Sequence, residues 1–137
     1  MSSNFVSPHL EKIQKTIIFL ANTLKSLKIN WLLGGSGALM VHGINLVPRD
    51  LDVLISPQDF SSFVRAFKIY MPEGDNDLKY SINGVEIELV LIPNLGHPIQ
   101  VLFLDELIPV YTLHDELSFY QQRPGKEEIV KLIKEKL

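Results

Sequence analysis

The run Asp50-Leu51-Asp52-Val53-Leu54-Ile55 constrains this chain more than any other feature. Read as a strand, it turns Asp50 and Asp52 to one face and Leu51, Val53 and Ile55 to the other. Aspartate is disfavoured in strands and rarely buried without a partner. Two on one face, at the head of an apolar stretch, repel each other unless a cation neutralises them. A hard divalent ion with oxygen ligands does that best. The plainer alternative, an exposed edge strand with a polar face, fits poorly with the Leu54-Ile55 that follows.

Around this strand the pattern alternates between helix and strand without an internal repeat. Leu10, Ile13, Ile17, Leu20, Ala21, Leu24 and Leu27 recur at three- and four-residue spacing, which predicts an amphipathic helix over residues 8–28. Ser7 is placed to cap it and Pro8 to start it. Residues 29–33 read as a buried strand ending in Gly34-Gly35, and residues 36–42 as a short helix stopped by Gly43. The acid-bearing strand spans 50–56. A helix over 57–70 carries Phe60, Phe63, Val64 and Phe67 on one face, and residues 71–79 form a loop.

Strands at 80–82 and 85–92 follow, joined by Asn83-Gly84, the strongest short hairpin signal. Residues 98–112 add one or two short strands around Leu104-Asp105-Glu106-Leu107. Two closing helices, 113–122 and 126–136, are split by Pro124-Gly125. The expected class is α/β in the broad sense (α+β), a mixed sheet with helices mainly on one side.

A length of 137 residues predicts one domain over 1–137. A chain of that size buries roughly 68% of its unfolded surface on folding, enough for one core. The net charge of −3 argues against a global nucleic-acid or anionic-membrane footprint. With no cysteine there is no disulfide framework or thiolate metal site. The opening residues lack a basic segment followed by an apolar one, and no apolar run is long enough to span a bilayer. The expected location is the cytoplasm.

Two further segments can act with the aspartates. Trp31-Leu32-Leu33-Gly34-Gly35-Ser36-Gly37 sets glycines and a serine between a strand and a helix. Glycine lets backbone approach a ligand closely, and a helix N-terminus offers free N–H groups suited to phosphate. Ser36 could add a hydroxyl while capping the helix. On its own, the segment is equally well read as a tight turn with an N-cap.

In Val85-Glu86-Ile87-Glu88-Leu89, both glutamates share the face opposite the apolar residues. If this strand lies beside residues 50–56, one glutamate joins the aspartate pair, and three carboxylates can hold two metals in the manner of polymerases. Taken alone, the glutamates read more simply as a solvated strand face.

Gly34-Gly35-Ser36, a short helix, Asp50-Leu51-Asp52 and Glu88 on a later strand together resemble the signature of polymerase-β-like nucleotidyltransferases. The stretch from Leu32 to Leu39 with Arg49-Asp50-Leu51-Asp52-Val53 is similar to small prokaryotic members, the minimal nucleotidyltransferases and abortive-infection toxins. The resemblance covers residues 29–92 well and a helical tail at 113–137 loosely. It implies a nucleotidyltransferase fold and transfer of a nucleoside monophosphate from a triphosphate to an acceptor hydroxyl on RNA, protein or a small molecule. It implies Mg²⁺ or Mn²⁺ on Asp50, Asp52 and Glu88, with Glu86 as runner-up for the third acid. Gly34, Gly35 and Ser36 would meet the phosphates. Arg49 would either reach a phosphate or pair with a neighbouring acid.

The acceptor is open at this level, and a homodimer or small partner protein could complete its site. A degenerate member that binds nucleotide or partner without transfer is the alternative. A dinucleotide-binding loop is disfavoured because Met40 stands at its third glycine position, and a P-loop lacks its Gly-Lys-Ser/Thr. His42, His97 and His114 lack metal-ligand spacing and read as surface or capping residues. Trp31 reads as core, and Asp115-Glu116 as a solvated helix start.

Overall fold

The computed structural model describes residues 7–74 and 76–137. Residues 1–6, read above for an export signal, and Asp75 of the loop lie outside the described residues. Helix α1 spans Pro8–Ser26, with Ser7 capping it through a hydrogen bond from the Leu10 N–H. It ends two residues early for the periodicity, because Lys28 turns to a φ of +57° and Ile29 N–H bonds back to the Leu24 carbonyl.

Strand β1 (Trp31–Gly34) leads into α2 (Gly35–Val41), and β2 (Asp50–Ile55) leads through a turn of 3-10 helix into α3 (Phe60–Phe67). Strands β3 (Lys79–Ile82) and β4 (Val85–Leu91) meet at Asn83-Gly84, both in the left-handed region, as the hairpin signal requires.

The four strands form one mixed sheet in the order β1-β2-β4-β3. Strand β1 runs antiparallel to β2, β2 parallel to β4, and β4 antiparallel to β3. Leu51, Val53 and Ile55 of β2 and Ile87 and Leu89 of β4 are buried against Ile13, Ile17, Leu20 and Leu24 of α1 and Phe63 and Phe67 of α3. One sheet face therefore carries the main core, and the alternation leaves the acids on the other. Trp31 is buried in this core, as its position predicts.

Residues 98–112 give two short strands, within the one or two expected. They form β5 (Ile99–Phe103) and β6 (Glu106–Val110), a separate two-stranded sheet. Leu104 and Asp105 form the turn between them, with φ of +49° and +69°. Ile108 and Val110 still reach the main core. Helices α4 (Leu113–Gln121) and α5 (Glu127–Lys136) close the chain around a smaller cluster of Leu39, Ile44, Tyr120 and Ile133. Among the described residues no helix is long and apolar enough to cross a membrane.

Candidate active site

The strand register assembles the site. Asp52 pairs with Gly34 on one side and Glu88 on the other, and Glu88 pairs with Lys79. Gly34, Asp52, Glu88 and Lys79 thus form one rank across all four strands. In the next rank Asp50 pairs with Glu86, which pairs with Ser81. Both glutamates therefore come beside an aspartate, where one was expected. The parallel pairing of β2 with β4 is what turns four residues distant in sequence into a single acidic surface.

The two ranks differ electrostatically. Asp50, Glu86 and Glu88 are exposed, whereas Asp52 is half-buried. Burial, then the charges of Asp50 and Glu88, push the Asp52 carboxyl above its ordinary value, with Arg123 opposing. Glu86 is not among these influences, which distinguishes Glu88 as the acid coupled to Asp52.

Gly35 has a φ of +58°, and a Cβ there would stand 2.8 Å from Asp52 Oδ2. Only glycine allows the carboxylate to lie this close over the turn. Gly37 serves packing, since a Cβ on it would meet Leu51 Cδ2 at 2.9 Å.

Two expectations are corrected here. Ser36 does not cap α2: the helix begins at Gly35, Gly34 holds the cap position, and no side chain caps it. The left-handed Gly35 starts the helix one residue early and leaves Ser36 inside the first turn. Arg49 is exposed and joins no acid, since the one ion pair among the described residues links Lys15 to Glu11.

Glu116 departs from the solvated helix start expected of Asp115-Glu116. Asp115 is exposed at the start of α4, but Glu116 is 3% exposed, and its Oε2 has no hydrogen-bond partner. Burial raises its pKa to about 7, against the pull of Arg123 and with a further push from Asp115. Glu116 lines a cavity of about 410 Å³ that also touches Gly34, Gly35 and Asp52. Its other walls include Leu54 and Val90 from the sheet and Tyr111, Phe119 and Tyr120 from the tail. The His42 ring bonds the Tyr111 carbonyl at 2.7 Å and ties that wall to α2. Arg123 lies over the Tyr120 ring, 5.4 Å from its centre. A signal was present, because Leu113, Glu116, Leu117 and Tyr120 fall at helical spacing and put Glu116 on the inward face.

All candidate metal ligands are carboxylate oxygens, the donor set that suits Mg²⁺ or Mn²⁺. Among the described residues no three His, Asp or Glu side chains are drawn into a closed ligand group. Carboxylates that repel one another stand apart until a cation neutralises them. Asp50, Asp52 and Glu88 fit the ion by donor type, and the register sets Glu88 beside Asp52.

No protein-family model matches the sequence, and no curated protein matches it. Solved structures are similar in fold. A nucleotidyltransferase candidate from Thermotoga maritima superposes with a TM-score of 0.67 over 97% of this chain and 95% of its own, at 17% identity. The chain has the nucleotidyltransferase fold. The lincosamide antibiotic adenylyltransferase LnuA, in its lincomycin-bound form, matches with a TM-score of 0.68 over 90% of this chain and 98% of its own, at 13% identity. The enzyme ANT(2")-Ia, in complex with adenylyl-2"-tobramycin, matches with a TM-score of 0.60 over 90% of this chain and 87% of its own, at 10% identity. The α+β class and mixed sheet expected from the sequence agree with this fold.

Proposed function

We propose that this chain is a metal-dependent nucleotidyltransferase forming one catalytic domain, which moves a nucleoside monophosphate from a nucleoside triphosphate to an acceptor hydroxyl. The observation that carries this reading is the rank Gly34–Asp52–Glu88, with Asp52 held over a left-handed Gly35. Asp50, Asp52 and Glu88 hold Mg²⁺ or Mn²⁺, while Gly34, Gly35, Ser36 and Arg49 receive the phosphates. When bound, the ion neutralises phosphate charge and activates the attacking oxygen.

The acceptor oxygen bonds to the α-phosphorus, the bond from that phosphorus to the bridging oxygen breaks, and pyrophosphate leaves with the electron pair. The acceptor's proton passes to a base or to solvent. The N–H groups around Gly35 orient the triphosphate, and the carboxylate rank would hold the ion that offsets its charge. LnuA and ANT(2")-Ia, both similar in fold, are found with antibiotics or their adenylylated products, which favours a small-molecule acceptor here.

The third acid separates this reading from a degenerate one. Residues two apart on a strand are about 6.5–7 Å apart, so one metal takes only one of the two glutamates directly. Mg²⁺ or Mn²⁺ with nucleotide is expected to raise the melting temperature, since a ligand at a hundred times its Kd adds about 2.7 kcal/mol. Glu88→Gln is expected to lose most of that rise, together with transfer of label from an α-labelled triphosphate. Glu86→Gln is expected to keep both. The reverse pattern would exchange the two roles, and no effect in either variant would leave the degenerate reading.

A further inference from the structure

The cavity under α4 has a construction that the acidic rank does not explain. Its volume of about 410 Å³ lies within the range of small-molecule sites. Leu54, Val90 and Ile92 continue the acid-bearing strands past Asp52 and give it an apolar floor. Into it faces Glu116, 3% exposed, with Oε2 unpartnered. A buried, unsatisfied carboxyl oxygen weakens a fold, so a native structure that keeps one calls for a reason.

We propose that this cavity is the acceptor site, taking a compact small molecule with an apolar, ring-like body and a hydroxyl that donates its hydrogen bond to Glu116 Oε2. The inference rests on the nucleotidyltransferase reading above.

The chemistry selects the occupant. The unpartnered Oε2 of Glu116 accepts a hydrogen bond, so the cavity wall attracts a donor. Arg123 lines the same cavity and offsets the charge of Glu116, so a neutral molecule is favoured under α4. Tyr111 and Phe119, packed edge to face at 5.3 Å, offer ring surface to its apolar body. Asp52 and Gly35 border the same cavity, so a hydroxyl held inside it lies next to the phosphates.

The test uses amide chemical shifts of the full chain, titrated with phenyl β-D-glucoside and benzyl alcohol. Each titration is run with and without Mg²⁺ and α,β-methylene ATP. Shifts are expected at Leu54, Tyr111, Glu116 and Phe119 in both states. Glu116→Leu is expected to weaken probe binding about tenfold without lowering the melting temperature. Phe119→Ala, at a side chain 41% exposed and so tolerant of change, is expected to weaken it as well.

Absent shifts, shifts abolished by the analogue, or parental affinity in Glu116→Leu would each overturn the proposal. Abolition by the analogue would give the cavity to the nucleoside. If the probes bind but the analogue does not, the acceptor role falls with the transfer reading and only a small-molecule site remains.

Discussion

Asp52→Asn is expected to lower nucleotidyl transfer by about three orders of magnitude, the scale of losing several kcal/mol of metal-borne stabilisation of the transition state. Asp50→Asn is expected to do the same, since both aspartates face the same way from β2 and neither can replace the other as a ligand. Stability should move in the opposite direction. Burial and the neighbouring Asp50 and Glu88 hold the Asp52 carboxyl above its ordinary value, so its ionisation opposes folding at neutral pH. Without metal, Asp52→Asn should therefore melt no lower than the parent. Initial rates at saturating Mg²⁺, paired with thermal melts in chelator, check both halves. Parental activity in the two variants would remove the aspartates from the site.

Glu116 is expected to give the largest pH effect on stability. Its carboxyl titrates at about 7 in the folded chain, against an ordinary 4.5. The folded state thus holds the proton more tightly than the unfolded state. Between about pH 4.5 and 7 the unfolded chain releases this proton while the folded chain keeps it, so rising pH favours unfolding, and above 7 both states are ionised and the loss is complete. The shift corresponds to about 3 kcal/mol, or roughly 10 °C in melting temperature for a chain of this length. Glu116→Gln removes the titration. The stability difference between variant and parent should grow in the variant's favour by about 3 kcal/mol between pH 4 and pH 8. Denaturant midpoints at the two pH values measure it, and a difference independent of pH would mean that Glu116 is solvated.

The contrast between Asp52 and Glu116 shows what could be read from the chain. Asp50 and Asp52 announce themselves because charge alternating with Leu51, Val53 and Ile55 is costly in a strand and needs a cation to explain it. The hairpin at Asn83-Gly84 likewise follows from local backbone chemistry. The pairing of β2 with β4 was legible only as a condition, since nothing local dictates which strands lie side by side in parallel.

Glu116 was hidden by its neighbour. Asp115 beside it and Thr112 before it make the usual polar opening of a helix, with Thr112 accepting from the Asp115 N–H. The inward spacing with Leu113 and Tyr120 carried the opposite message, and burial of that face depends on where α4 docks. Ser36 was misplaced for a different reason. Its type suits an N-cap, but the left-handed turn at Gly35 decides where α2 starts. Around Leu104-Asp105 the sequence left one strand or two open, and a turn with two left-handed residues makes them two, with β5 paired to β6.

The central claim is that the acids of β2 and β4 bind a divalent metal next to a phosphate-holding turn. Crystals of the chain grown with Mn²⁺ and α,β-methylene ATP, measured at the manganese absorption edge, test it directly. The expected result is an anomalous peak within about 2.0–2.6 Å of carboxylate oxygens of Asp50 and Asp52, with Glu88 as the third acid and the phosphates against Gly35 and Ser36. A manganese peak elsewhere, or a nucleotide bound with its phosphates away from that turn, would contradict it.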